Sequence, residues 1–513
     1  MDPQLREAAR RGDAEACLAM AERLFGGRSG ASRNYTLGLA YLQQELDRKN
    51  AAAMLLLGGL VPLDVVVTQQ LQAHLRDAAA LGSCLAMLKW GTLLSMRPES
   101  RDEGTRWIRR SRPGDRLLDG VQFDDPGTVA RFLKELQPHV VNAPELAFWG
   151  ARRALKERSV EHACWFIAIA ANLVPFNEKL AQIVSSTVQL AANSDTRLSL
   201  PVDLVEYSLQ ARSARGEVEA QYGLGCAFAG LPYGQLPPQR IVRSRNFEKA
   251  VTLLLRAADA GKCQAWLNLS QMVLNCRSTI SSKGTARFFL EKAALAGVLE
   301  AQTKLGAALL GEAASLESAE EGITWLGIAA ERSCPTARDL LHTLVLPIPE
   351  LPVDQERSMI QRISTMDPEL GARVSLARVL HLTRREAMNF NPKRDIKPWG
   401  LLIPGASYEN PKGRLAPAAS PQMKSELRRT LEFFVACPPI ESTSLVQRSR
   451  AQRHIFGQLS ISEPLVFSNE IGRSLSHYGY GRHWACRSAP MLETLFGYSA
   501  VVRRKAHDKH MTR

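Results

Sequence analysis

Four columns of residues recur at an interval of 36 in a single register. The alanine pairs Ala257 and Ala258, Ala293 and Ala294, and Ala329 and Ala330 form the first. Ala265, Ala301 and Ala337 form the second, and Leu269, Leu305 and Leu341 the third. Ala250, Ala286 and Gly322 form the fourth. A fixed period of this length marks a repeat array, in which each unit buries its apolar face only by stacking on its neighbours. The unit before these begins Ala220-Gln221-Tyr222-Gly223-Leu224-Gly225, which matches Ala301 to Gly306 through Leu305. Its distance to the next unit is 45, and the nine extra residues fall in the Gly- and Pro-rich stretch 231–245, a loop by composition.

Each unit reads as two antiparallel helices. In the second helix Ala250, Leu253, Leu254 and Ala257 fall at i, i+3, i+4 and i+7, on one face. Gly261 and Gly297 follow their helices and suit a left-handed terminal residue. Pro335 suits the first turn of the next helix. Alanine and glycine in the recurring columns let helix axes approach closely.

The pattern A-x-x-x-L-G, followed by K-A-x-x-W/F/L-x-x-K/R-A-A-x-x-G, resembles the Sel-one-like repeat family, a relative of the tetratricopeptide repeat. The match covers Leu209 to Leu344, with Phe289 and Trp325 in the family's aromatic slot and Leu253 replacing it once. Ser270 and His342 stand where the glycine after leucine belongs, and Ser333 stands for the terminal glycine. The resemblance implies an all-α, right-handed superhelix of stacked helix-turn-helix repeats and a role as adaptor or scaffold. Some cysteine-rich members staple each hairpin through C-x7-C, a spacing this chain lacks.

Weaker copies lie upstream. Residues 7–25 align with 256–274, placing Gly12 on Gly261 and Ala16 on Ala265, and 77–94 align through Gly82 and Ala86. Residues 1–200 are therefore expected to form degenerate helical repeats and 201–346 the repeats proper. Residues 347–390 read as capping helices and 391–422 as an irregular Pro/Gly-rich linker. Residues 423–513 read as a basic C-terminal region of mixed or irregular structure.

Composition separates the two ends of the chain. Residues 371–513 hold 23 Lys and Arg against 10 Asp and Glu, a net of +13, while 1–370 hold 42 and 41, a net of +1. The basic excess makes Lys393, Arg394, Lys397, Arg428, Arg429, Arg503, Arg504 and Lys505 candidates for contact with phosphates, acidic lipids or an acidic protein. Trp399, Tyr478, Tyr480 and Trp484 are the candidate stacking partners for single-stranded nucleic acid. The plainer alternative is a solvated charged surface.

Chemistry-bearing motifs are sparse. Nine cysteines are scattered without a CxxC, the pattern of reduced packing residues. His477, His483 and Cys486 cluster, and His454 is the nearest further histidine, but this spacing is a weak metal signal. No nucleophile elbow, phosphate-binding loop or H-E-x-x-H occurs. No cofactor and no catalytic residue is assigned. The N-terminus shows no cleavable secretory signal, and no apolar run of membrane-spanning length occurs, so a cytoplasmic location is expected. A non-cleaved secretion signal would be invisible to this reading.

The expected function is non-enzymatic: the concave face of the array binds another protein as an extended peptide or helix. Two alternatives stand beside it, nucleic-acid or acidic-surface binding by the basic region, and an enzyme with a C-terminal active site.

Overall fold

The computed structural model describes residues 3–27, 32–111, 114–137, 139–275, 283–403, 414–438, 444–471 and 478–496. The chain divides into two compact units, Met1–Ala260 and Gly261–Arg513.

The first unit is helical throughout. Its helices are α1 (Pro3–Arg10), α2 (Ala14–Gly26), α3 (Tyr35–Asp47), α4 (Ala51–Leu60), α5 (Leu63–Thr68), α6 (Gln72–Ala80), α7 (Cys84–Ser95) and α8 (Arg101–Arg110). There follow α9 (Gly114–Leu117), α10 (Pro126–Glu135), α11 (Ala143–Lys156), α12 (Val160–Leu173), α13 (Glu178–Ala192), α14 (Val202–Ala214), α15 (Val218–Ala229) and α16 (Phe247–Asp259). In the second unit come α17 (Gln264–Asn275), α18 (Lys283–Leu295), α19 (Leu299–Glu312), α20 (Leu316–Glu331) and α21 (Pro335–His342). Within this second unit α17 to α21 pack each on the next, the arrangement of stacked helix hairpins.

One turn recurs. After α1, α3, α6, α11, α14, α16, α18 and α20 the chain passes through a residue of positive φ: Gly12, Lys49, Gly82, Arg158, Gly216, Gly261, Gly297 and Ser333. At Gly297 the amide donates to the Ala294 carbonyl (3.0 Å) and the next amide, of Val298, to Ala293 (3.0 Å). Ser333 and Cys334 bond to Ala330 and Ala329 in the same way, as Gly12 and Asp13 do to Ala9 and Ala8. This left-handed cap satisfies two of the carbonyls that a helix C-terminus leaves open. The alanine pair thus supplies both carbonyls of the cap and a thin side for packing.

Four residues past the turn stands a buried alanine: Ala16, Ala53, Ala86, Ala220, Ala265, Ala301 and Ala337 are each at most 5% exposed. Ala250, Ala257, Ala258, Ala286, Ala293, Ala294 and Ala329 are buried as well, with Leu224, Leu269, Leu305 and Leu341, while Ala330 is half-buried. Nine residues past the turn Gly225 and Gly306 are buried. A Cβ on Gly306 would come within 2.8 Å of the Gly322 carbonyl, so α19 and α20 cross through two glycines. The loop 231–245 is itself packed: Tyr233, Leu236, Ile241 and Val242 are buried, and Tyr233 donates to Glu219 (3.2 Å).

Lys89 is fully buried in the first unit. Its Nζ donates to the carbonyls of Gly58 (2.8 Å) and Val61 (2.7 Å) at the end of α4. A cation placed there meets the negative end of the helix dipole.

The second unit continues with α22 (Val353–Met366), α23 (Pro368–Val379), α24 (Arg384–Asn389) and α25 (Pro392–Asp395). Strands β1 (Ile396–Lys397), β2 (Gly400–Ile403) and β3 (Arg414–Pro417) follow, then α26 (Pro421–Ala436), α27 (Leu445–Leu459), α28 (Glu463–Val466), α29 (Arg482–Arg487) and α30 (Ala489–Phe496). The strands form an antiparallel sheet in the order β1-β2-β3, with Leu401 opposite Ile396 on one side and Ala416 on the other.

This sheet corrects the expectation of an irregular linker over 391–422. Its Leu401, Ile403, Leu415 and Ala416 belong to one apolar cluster with Leu380, Phe390 and Phe434. Small residues here signal close packing: a Cβ on Gly400 would lie 2.2 Å from the Ala416 carbonyl. The same cluster contains Ala337, Leu340 and Leu344 at the end of the repeats, so the sheet and the last hairpins share a core.

Candidate functional site

The first helices of the hairpins α17, α19 and α21 present the face expected to meet a partner, and they differ in what covers them. On α19 the carboxylate of Glu300 accepts from Lys304 Nζ (2.6 Å) and from Gln271 Nε2 of α17 (3.4 Å). Glu300 is exposed, Gln271 and Ala308 half-buried, and the Lys304 side chain 12% exposed. Beside this polar strip Trp266 stacks on Phe289 with ring centroids 5.9 Å apart. At the end of α21 and just past it, 36 residues on from Lys304 and Ala308, stand Leu340 and Leu344, both fully buried.

The cover on this side is the chain's own C-terminal segment. The Gly481 amide donates to the Leu310 carbonyl at the end of α19 (2.9 Å). Trp484 is fully buried, and its Nε1 donates to Thr343 Oγ1 (2.8 Å). Gly311 of α19 lies under its ring, where a Cβ would sit 3.5 Å from the indole. Leu340, Leu344, Trp484 and Leu492 belong to one apolar cluster. Among the described residues the face of the array is therefore polar at α17 and the start of α19, and apolar and filled toward α21.

The basic candidates are dispersed over several elements. Lys393 is exposed on α25, and Arg394 beside it bonds Asp395 (2.6 Å), which with the carboxylate's charge holds the guanidinium pKa up. Lys397 is half-buried on β1. Arg428 and Arg429 are exposed on α26, the latter 3.7 Å from Glu426. Arg503, Arg504 and Lys505 lie outside the described residues, as does His477. His454, His483 and Cys486 are exposed, and among the described residues no group of His, Cys, Asp or Glu is placed to hold a metal.

Part of the basic excess is internal. Arg373 is 1% exposed, donates to the carbonyls of Ala387 (3.1 Å) and Phe390 (3.0 Å), and lies against the rings of Phe390 and Phe434. Arg378 donates to the carbonyls of Pro349 and Leu465 and pairs with Glu356. Arg414 pairs in bidentate fashion with Glu386 at 2.8 and 2.9 Å, both buried. Burial pushes the Glu386 carboxyl up, but the Arg414 charge, its hydrogen bonds and those from Thr383 outweigh it and leave the group below its ordinary value. Apart from the Arg373–Glu369 pair within α23, the partners of these arginines lie on other elements, so no local pattern reports them. Of the candidate stacking aromatics, Trp484 is buried and presents no ring to a nucleotide. Trp399 and Tyr480 are half-buried against the apolar cluster, and Tyr478 lies half-buried beneath the Arg487 guanidinium.

Stacked hairpins with a recurrent left-handed cap define an all-α helical repeat protein. Among solved structures the chain is similar to a Sel1 repeat protein from Oxalobacter formigenes, at 17% identity over 66% of this chain and 90% of that one, with a TM-score of 0.25. It is also similar to a protective antigen of uropathogenic Escherichia coli strains displaying an SLR fold, at 16% identity over 88% of this chain and 94% of that one, with a TM-score of 0.27. No family model and no curated protein matches the sequence. Among the described residues no helix is long and apolar enough to cross a membrane.

Proposed function

We propose that the chain is a non-enzymatic scaffold that acts in the cytoplasm and binds another protein across α17 and the start of α19. The observation that supports this reading is the change along the first helices. Where the chain packs on itself, at and just after α21, the residues are Leu340 and Leu344; one repeat earlier the equivalents are Lys304, paired with exposed Glu300, and half-buried Ala308. A surface that stays charged and only half-filled beside a self-covered one suits a separate segment, extended or helical.

The test is affinity capture with the full chain and with the double charge reversal Glu300→Lys, Lys304→Glu. The reversal should abolish capture while the helical circular-dichroism signal and melting temperature stay unchanged. Retained capture with an unchanged fold would remove the reading. Ending the chain near residue 390 is a poor substitute, because the sheet and α26 share the core of the last hairpins.

A second reading, an acidic or nucleic-acid partner on the basic C-terminal region, draws on α27. That helix carries Arg448, Arg450 and Arg453 and no acidic residue. Binding there should weaken steeply as salt rises, and a flat salt response would remove it.

A further inference from the structure

We propose that the cleft between the end of the repeats and the C-terminal segment binds a small carboxylate that carries an aliphatic group and a neighbouring hydrogen-bond donor. The cleft holds about 340 Å³ and is framed by three separate stretches of chain. Val345, Pro347 and Ile348, after α21, supply an aliphatic wall. His381, in the left-handed turn that ends α23, supplies one polar flank with His342 beside it, and Tyr478 with Arg487 of α29 the other.

Each polar group has a definite preference. The Arg487 guanidinium lies 3.8 Å from the centre of the Tyr478 ring, and among the described residues it forms no ion pair with a carboxylate. An arginine this close over an aromatic ring, with no carboxylate paired to it among the described residues, is available to a carboxylate, which it meets with two parallel N–H donors. His381 Nδ1 sits 2.6 Å from the Leu346 carbonyl. That carbonyl only accepts, so Nδ1 carries the proton. Burial holds the ring below its ordinary pKa, which keeps it neutral and leaves Nε2 as an acceptor. A ligand that satisfies both groups offers an anion to Arg487 and an N–H or O–H to His381. Its carbon skeleton rests on Val345, Pro347 and Ile348. The matching chemistry is that of an aliphatic N-acyl amino acid or hydroxy acid, and equally of the last residue of a peptide chain.

The site exists only while the C-terminal segment is docked, because Tyr478 and Arg487 are brought in by the Trp484 and Gly481 contacts. Ligand binding and docking therefore reinforce each other.

Calorimetric titration of the full chain tests the assignment with four probes: N-acetyl-leucine, its neutral amide N-acetyl-leucinamide, 2-hydroxy-4-methylpentanoate, and a pentapeptide ending in a free leucine carboxylate. The two small acids should bind in the millimolar range or tighter, with the amide weaker by about tenfold or more, the loss expected for one charge-assisted hydrogen bond. Arg487→Gln, an exposed position, should weaken the acids by a similar factor with an unchanged thermal melt. A pentapeptide that binds more than about tenfold tighter than N-acetyl-leucine marks the source as a chain terminus, and equal affinity marks it as a free acid. Absence of binding by all the acids, equal binding of acid and amide, or wild-type affinity in Arg487→Gln would overturn the proposal. None of these outcomes bears on partner capture at α17 and α19.

Discussion

The Ser270 hydroxyl, buried between α17 and α18, donates to the main-chain carbonyl of Ala286 at 2.8 Å. In the neighbouring units this position is Gly225 and Gly306. A side chain enters there only because its hydroxyl satisfies the carbonyl it approaches. Ser270→Ala should therefore cost about 1 kcal/mol, the net worth of one buried hydrogen bond. Gly306→Ala should cost more, about 1–3 kcal/mol, since its Cβ would press to 2.8 Å from both the Gly322 carbonyl and Leu326. Urea unfolding of the two variants gives the order; an equal or reversed loss would contradict this account of the crossing.

Ser333 has φ of 65° in the turn where the other clear repeats have Gly261 and Gly297. A residue with a Cβ is strained there by about 1–2 kcal/mol, offset in part by the greater chain entropy that glycine loses on folding. Ser333→Gly should be net stabilising by about 0.5–1 kcal/mol, read as a rise in melting temperature. Lys49→Gly and Arg158→Gly should move the same way, at φ of 57° and 56°. A loss of stability in all three would show that the side chains do something at these turns beyond occupying them.

Those turns also explain how far the array was legible. Gly12 and Gly82 advertised the degenerate repeats because glycine is the usual left-handed cap. Lys49 and Arg158 make the same turn without it, so their hairpins left no visible register. Local rules carried the reading as far as α21. Beyond it the structure is held by pairs distant in sequence, such as Arg414 with Glu386 and Trp484 with Thr343, 141 residues apart. No periodicity reports such pairs, and a Pro/Gly-rich composition reads as a loop whether or not a sheet forms within it. The repeat period leads to the expectation that the first helices form one face, α17 and α19 among them. That its α21 end is filled by the chain itself does not follow from the period, because the filling segment shows none.

Lys89 gives a titration test. Burial pushes its pKa down to about 7, against an ordinary 10.5, with Asp64 pulling the other way. Between those two values the unfolded chain binds more protons than the folded one, so this residue makes stability rise with pH from about 7 to about 10. The rise should be a few kcal/mol in size. Lys89→Met removes the titrating group and should flatten it. If wild type and variant show parallel stability curves over that range, the lysine does not titrate as described.

The Arg414–Glu386 pair is buried at 6% and 8% side-chain exposure, and Arg414 reaches the Leu344 carbonyl as well, joining β3 and α24 to the end of the repeats. Arg414→Met should cost about 3–5 kcal/mol, because it strands the Glu386 carboxylate in the core. The double variant Arg414→Met, Glu386→Leu should recover much of that loss. With its folded pKa held below the ordinary 4.5, Glu386 contributes stability that is present above about pH 4.5 and is lost as pH falls through the folded value. Additive losses in the double variant would show that the two side chains act separately.

Trp484 is the anchor of the C-terminal segment, and its removal should release that segment without unfolding the repeats. Trp484→Ala opens a cavity in the cluster shared with Leu340 and Leu344 and removes one of the two donors to Thr343 Oγ1, leaving the Ser488 hydroxyl. The local cost of about 3–5 kcal/mol exceeds what the short helices α29 and α30 can hold by themselves. Amide hydrogen exchange over 482–496 should accelerate by about a hundredfold or more, while the amides of α17 and α18 keep their protection. The part of the shared cluster that the indole fills would be opened, so the variant should also bind an apolar dye that the wild type does not. If exchange over 482–496 is unchanged, the indole is incidental to docking, and the segment is held instead by Gly481 on the Leu310 carbonyl, Ser488 on Thr343 and the packing of Leu492.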